Sequence, residues 1–240
     1  MRDDTWGYHS RASVKHKYLT VATPKVGCTT IKRALHAFEG LPPADPWWAV
    51  HDAAPSMRLS AYEETERAAM LHSQEYLRFA FVRNPYDRML SAWKSKILRP
   101  QDTQYAPLRA EIRAAYAYPT TDLDDSPIVA FGDFVRFVVS TGHTDAHWSR
   151  QSDVLAIDAI SYDVVGRFES FVYDFSGILE RLGAPADVLA LAAEVTNSTS
   201  DLPSAAAYDT ELATVVYDYY RTDFDAFGYD RDSWFMSKPQ

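Results

Sequence analysis

A short β-prone run, Leu19-Thr20-Val21-Ala22, passes through Thr23-Pro24-Lys25-Val26-Gly27-Cys28-Thr29-Thr30 into a segment whose Ile31, Ala34, Leu35 and Phe38 repeat at the spacing of one helix face. A strand that turns through a glycine-containing loop into a helix N-terminus is the elementary step of an α/β fold. Such a junction is also suited to hold an anion. The first backbone N–H groups of a helix lack intrahelical partners and point outward, here beside one ammonium, Lys25, and two hydroxyls, Thr29 and Thr30. Gly27 allows close approach of the backbone. The competing reading is an ordinary strand-loop-helix with a capping threonine. The Walker A order Gly-Lys-Ser/Thr is not met, because the lysine precedes the glycine, and this disfavours a Mg-nucleoside triphosphatase.

Charge is distributed unevenly. The chain of 240 residues carries a formal net charge of −9, which argues against broad nucleic-acid binding. Yet between Thr5 and Phe38 there are six basic residues (Arg11, Lys15, Lys17, Lys25, Lys32, Arg33) and no acidic one, and between Arg83 and Arg99 five basic residues face Asp87 alone. Two cationic islands in an acidic protein focus a field on a small polyanion. Several of these side chains, Lys94, Lys96 and Arg99 above all, also fit a solvated helix face.

With 47% hydrophobic residues the length suffices for one sizeable core, and the chain reads as a single domain over 1–240. Its start shows no signal-like apolar segment and no uncharged run spans a bilayer, so the expectation is a soluble, cytoplasmic protein without membrane association. The lone cysteine, Cys28, excludes an internal disulfide framework.

The pattern further along predicts a capping box at Ser60-x-x-Glu63 opening a helix to about Leu71, and a second strand over Leu77–Val82. That strand runs into Arg83-Asn84-Pro85, a cap followed by a first-turn proline, and a helix to about Leu98 with Leu90, Trp93 and Ile97 inward. Residues 100–127 read as one helix and a polar loop, a candidate lid. A helix over Phe131–Ser140, a strand over Ala159–Val165 and helices over Phe171–Leu182, Ala186–Val195 and Thr210–Tyr220 complete the alternation. The expected fold class is α/β, a P-loop-like central parallel sheet flanked by helices with a helical C-terminal part, and both cationic islands fall at the carboxyl ends of strands, where such sheets bind ligands.

With these residues in place the chain resembles the sulfotransferases that use 3′-phosphoadenosine 5′-phosphosulfate (PAPS), and within them the carbohydrate branch that includes chondroitin 4-O- and HNK-1-type enzymes. Pro24 to Thr30 is similar to that branch's 5′-phosphosulfate loop, and Phe81-Val82-Arg83-Asn84-Pro85-Tyr86-Asp87-Arg88-Met89-Leu90-Ser91-Ala92-Trp93 to its 3′-phosphate motif. Three further blocks follow in the family's order: Asp145 to Gln151, Tyr162 to Glu169, and Tyr219 to Tyr229. The membrane anchor and cysteines of the Golgi enzymes are not matched, so the resemblance is to a soluble, bacterial relative whose acceptor cannot be borrowed from vertebrate members.

The resemblance implies a cofactor site of Lys25, Val26, Gly27, Cys28, Thr29, Thr30, Arg83 and Ser91, with adenosine 3′,5′-bisphosphate as product. Lys25 would stabilise charge developing on the bridging oxygen. Thr29 and Thr30 would hold the 5′-phosphate, and Arg83 with Ser91 the 3′-phosphate. A base for the acceptor hydroxyl is sought among His147, His51 and Glu169, and both histidines stay in contention. His143 and His147 have helical metal-pair spacing, but without a third ligand in register no metal is expected. Trp47, Trp48 and Trp148 form a candidate acceptor platform for a carbohydrate or small natural product, with core packing as the competing role. The rival functions are a P-loop-like kinase or nucleotidase, and a nucleotide-binding protein without catalysis. The sequence says nothing of oligomeric state.

Overall fold

The computed structural model describes residues 7–99, 101–118, 128–194 and 204–235. It divides into two compact units, Met1–Arg83 with Gln151–Ser198, and Asn84–Arg150 with Thr199–Gln240.

The first unit is built on a four-stranded sheet of order β1-β2-β3-β4, formed by Ser10–Ser13, Tyr18–Val21, Leu77–Val82 and Val164–Arg167. β2, β3 and β4 run parallel, while β1 pairs antiparallel with β2. The fold is therefore mixed α/β, and the sheet is mostly rather than wholly parallel, a correction that comes from an edge strand with no apolar alternation. Ser10-Arg11-Ala12-Ser13 is buried throughout. It tolerates this because Arg11 donates to the carbonyls of Ser10 at 2.7 Å and His51 at 2.9 Å, and the Ser10 hydroxyl binds the Gly7 carbonyl and the Leu59 N–H.

Helices cover the sheet as its apolar pattern demands. β3 is buried on both faces, as a central parallel strand should be. Leu77, Phe79 and Phe81 point to a core shared with Ile31, Leu35 and Phe38 of α1 (Cys28–Phe38) and with Phe171, Phe175 and Ile178 of α7 (Phe171–Arg181). The opposite face packs Ala12 and Leu19 against Leu59, Met70 and Tyr76. Gly166 of β4 is dictated by that packing, since a Cβ there would stand 2.5 Å from the Phe81 ring. α2 spans Glu64–His72, α6 Gln151–Leu155 and α8 Ala186–Leu191.

Three boundaries differ from the sequence reading. Ser60 lies in a 3-10 turn, Leu59–Ala61, and the capping box that opens α2 is made by Glu63 and Glu66. β4 begins at Val164 rather than Ala159; before it, the Arg78 guanidinium donates to the Ser161 carbonyl at 2.9 Å and to the Asp163 carboxylate at 3.1 Å, while the Asp163 N–H donates to the Arg78 carbonyl at 2.7 Å. α8 likewise ends at Leu191, short of Val195.

The second unit is helical. α3 (Pro85–Ala92) opens with Asn84 accepting from the Tyr86 N–H and continues into a π-helical turn, Trp93–Ile97. α4 (Ala106–Ala115), α5 (Phe131–Thr141), α9 (Ser204–Ala207), α10 (Thr210–Tyr219) and α11 (Arg221–Phe227) enclose a core that includes Leu90, Ile97, Phe134, Trp148, Val216 and Phe224. Trp93 packs partly buried against it. Of the candidate lid, residues 100 and 119–127 lie outside the described residues, and α4 is the helix expected within it. Among the described residues no helix is long and apolar enough to cross a membrane.

Candidate functional site

The loop after β2 has the backbone of an anion cradle. Lys25 and Gly27 both take left-handed conformations, with φ of 76° and 84°, so the loop curls back on itself and successive N–H groups converge. A lysine held there costs about 1–2 kcal/mol relative to ordinary backbone, a penalty that a functional position tolerates more readily than a filler one. Gly27 is required twice over, by its φ and because a Cβ would meet the Phe171 ring at 2.7 Å. At the start of α1 no described side chain caps the helix and its first turn holds no acidic residue. The dipole end therefore carries uncompensated positive character. Thr23 adds an orphaned polar atom: its hydroxyl is fully buried at the end of the strand and has no hydrogen-bond partner among the described residues.

The loop residues are not equivalent. Val26 is core, fully buried under α1, whereas Lys25, Gly27 and Cys28 are partly exposed. Thr29 places its hydroxyl 3.0 Å from His51 Nε2. Thr30 donates to the carbonyl of Glu194 at 3.2 Å, which anchors α1 to the segment after α8.

Arg83 belongs to the same unit and meets this loop directly. Its Nη1 donates to the Lys25 carbonyl at 3.3 Å, and its guanidinium lies over the Phe168 ring, 4.4 Å from the centroid. Gln151, fully buried, fixes the Arg83 backbone through both amide atoms: Oε1 accepts from the Arg83 N–H at 2.9 Å and Nε2 donates to the Arg83 carbonyl at 2.8 Å. Lys25 and Arg83, 58 residues apart in sequence, thus stand at one place. Phe168 and Gln151 are site residues that sequence reasoning passed over. Each lies inside a quoted family-like block, but an aromatic and an amide carry no chemical flag until their neighbours are known.

The base candidates have distinct surroundings. His51, at the end of the 3-10 turn Trp47–His51, has Thr29 on one ring nitrogen and Lys32 Nζ 3.2 Å from the other. Glu169 is exposed on the 3-10 turn Phe168–Ser170. In the second unit, His147 Nδ1 lies 2.6 Å from Asp145 Oδ1, the His147 N–H donates to the same oxygen at 2.8 Å, and Tyr105 donates to Asp145 Oδ2 at 3.2 Å. Burial pulls the Asp145 carboxyl up, but the hydrogen bonds and charge of His147 and the Tyr105 hydroxyl outweigh it and hold the group down to about 2. An ionised carboxylate on Nδ1 makes that nitrogen the donor and puts the imidazole lone pair on Nε2, the arrangement of an oriented base.

Also in the second unit, Ser91 is buried on α3, and the fully buried Arg88 of that helix donates to the carbonyls of Ala146 and Ser149 at 2.7 Å each, fixing the segment that carries His147. Burial lowers the Arg88 pKa, and the carbonyl contacts give its charge compensation. Trp148 is fully buried in the core, which removes it from any acceptor platform, whereas Trp48 is 59% exposed. His143 contacts the Trp148 ring, and among the described residues no three His, Cys, Asp or Glu side chains stand together as a metal site.

Comparison with known proteins gives this geometry a context. The chain is 27% identical to human carbohydrate sulfotransferase 8 over 233 residues, covering 90% of this chain and 54% of that protein. It is 35% identical to carbohydrate sulfotransferase 10 of Danio rerio over 189 residues (70% and 51%), and 26% identical to carbohydrate sulfotransferase 11 of Mus musculus over 234 residues (89% and 65%). The chain spans about half the length of several of these curated relatives. No solved structure matches it. Residues 8–230 match the sulfotransferase family, a span that holds the β2–α1 loop, Arg83 and the Asp145–His147 pair, and the chain belongs to that family.

Proposed function

We propose that this protein transfers the sulfuryl group of PAPS to a hydroxyl of a carbohydrate by in-line displacement, on a P-loop-like α/β scaffold. The observation that carries the reading is the contact of Arg83 with the Lys25 carbonyl beside an uncapped helix N-terminus, which gathers cationic and backbone donors for a nucleotide charged at both its 3′ and 5′ ends. The residues present fit such a group: the left-handed loop, the orphaned Thr23 hydroxyl and the absence of a first-turn acid all favour a bound anion. When bound, PAPS supplies the activated sulfuryl group. Lys25 neutralises charge on the leaving side, where stabilisation lowers the barrier rather than tightening the ground state. Thr29 and the first N–H groups of α1 hold the 5′-phosphate. Arg83, braced by Phe168 and Gln151, pairs with the 3′-phosphate. Ser91 is assigned to the same phosphate on the family motif alone. We assign the base to His147, oriented by Asp145, in preference to His51, whose two ring nitrogens serve Thr29 and Lys32, and to Glu169.

The carbohydrate sulfotransferases among its relatives support a sugar acceptor, and no metal enters the scheme. The test is incubation with isotopically labelled PAPS and a panel of sugars, phenols and aliphatic alcohols, read by product mass. Transfer to a sugar that falls at least a hundredfold in Lys25→Ala supports the proposal. Undiminished transfer by Lys25→Ala, or binding of the bisphosphate with transfer to none of the acceptors, overturns it in favour of another catalytic group or a non-catalytic binding protein.

A further inference from the structure

Beneath the β2–α1 loop lies a buried cation that the proposed chemistry does not use. Lys32, one turn into α1, is 3% exposed, and its ammonium sits 3.2 Å from His51 Nδ1 and 5.2 Å from the centroid of the Tyr8 ring. Burial lowers its pKa to about 8, with Cys28 and Asp52 opposing the fall and Arg11 and Arg58 adding to it. It therefore remains chiefly protonated at neutral pH, and an ammonium is a donor only. His51 Nδ1 must then accept, which leaves the proton of the neutral ring on Nε2. That atom is 3.0 Å from Thr29 Oγ1. The His51 carbonyl is held independently by Arg11 at 2.9 Å, so the ring hangs from a fixed backbone.

We infer that Lys32 is a positioning residue: acting through the tautomer of His51, it occupies a lone pair of the Thr29 hydroxyl and commits the hydroxyl's own hydrogen to donation toward an anion in the loop. The chain of donors runs one way, from ammonium to imidazole to hydroxyl. Without Lys32 the imidazole can hold its proton on Nδ1 and accept from Thr29, which turns the hydroxyl away from donation to a ligand. The inference rests on the reading of the loop as a phosphate site, and it adds a polarity to that site that the loop sequence does not contain.

The experiment has a ligand-free and a liganded arm. Long-range ¹⁵N–¹H spectra of histidine-labelled protein at pH 7 report the His51 tautomer, assigned by its loss in His51→Asn. We expect the Nε2–H form in the parent and a shift toward Nδ1–H or an averaged signal in Lys32→Met, a change that removes a buried charge and preserves much of the side-chain volume. Calorimetry with adenosine 3′,5′-bisphosphate should then show about tenfold weaker binding for Lys32→Met, and no further loss when Lys32→Met is added to Thr29→Val. A parent already in the Nδ1–H form, or equal losses from Lys32→Met in the parent and in the Thr29→Val background, overturns the relay. Failure of the parent to bind the bisphosphate, with the tautomer as expected, instead removes the phosphate reading on which the second arm stands.

Discussion

Replacing Gly27 by alanine tests the loop geometry most sharply, because two separate penalties meet at one atom. At φ 84° an L-residue costs about 1–2 kcal/mol over glycine, offset by about 0.4–1 kcal/mol because alanine has less freedom to lose on folding. The new Cβ would stand 2.7 Å from Phe171 Cε2 and 3.1 Å from two further ring atoms. Phe171 cannot easily retreat, since it is buried against Phe81 and Phe175 at centroid distances of 5.0 and 5.4 Å. Overpacking of that kind costs about 1–3 kcal/mol, giving a net loss of about 1–4.5 kcal/mol. Urea unfolding followed by circular dichroism measures it. Repeating the substitution in a Phe171→Leu background should leave only the conformational part, about 1 kcal/mol, because the ring edge is gone. Equal costs in the two backgrounds would refute the contact, and a cost below about 0.5 kcal/mol in the parent, the level of an ordinary surface change, would refute the left-handed loop.

Two further perturbations probe the braces of the site. Gln151→Leu strands the Arg83 N–H and carbonyl together, so a loss of about 2–4 kcal/mol in stability, with weaker binding of adenosine 3′,5′-bisphosphate, is expected by chemical denaturation and calorimetry; parent-like values in both would show that Arg83 is held by other means. Asp145, whose carboxyl is held down to about 2 from an ordinary 3.8, stabilises the fold above pH 4, and that contribution, on the order of 2 kcal/mol, is lost as pH falls from about 4 to 2. Asp145→Asn should therefore flatten the acid limb of the stability curve measured by urea melts, and an unchanged limb would contradict the Asp145–His147 pairing.

The two loops were legible in the sequence because each sits between a strong strand and a strong helix. β3 matches its expected bounds at Leu77–Val82, and Asn84 and Pro85 occupy the cap and first turn as read. β1 was invisible: its Arg11 and Ser10 are buried by virtue of backbone carbonyls supplied from residues 7–8 and 51, which no local pattern encodes. β4 was misplaced because Ile160 is buried without being in a strand. For the site, Lys25, Thr29 and Arg83 carried chemical signatures, charge and hydroxyl at a helix entry. Phe168 and Gln151 did not, since they act only through contact with Arg83, far away in the chain, and Lys32, read as one charge of the first cationic island, acts through a histidine whose partner could not be read. The division between units at Arg83 and Asn84 leaves no trace in composition either, because it falls inside a strand-to-helix turn.

The central claim is that one nucleotide is gripped at its 5′ end by the β2–α1 loop and at its 3′ end by Arg83. Calorimetric titration of the parent and of Arg83→Ala with adenosine 3′,5′-bisphosphate, adenosine 5′-monophosphate and ATP-Mg tests it directly. A charge-assisted contact to the 3′-phosphate is worth about 1.5–3 kcal/mol, so the parent should favour the bisphosphate over the monophosphate by roughly 10- to 100-fold, and Arg83→Ala should erase that preference while binding the monophosphate as before. Equal affinity of the parent for the two adenylates, or a preference for ATP-Mg, would contradict the account.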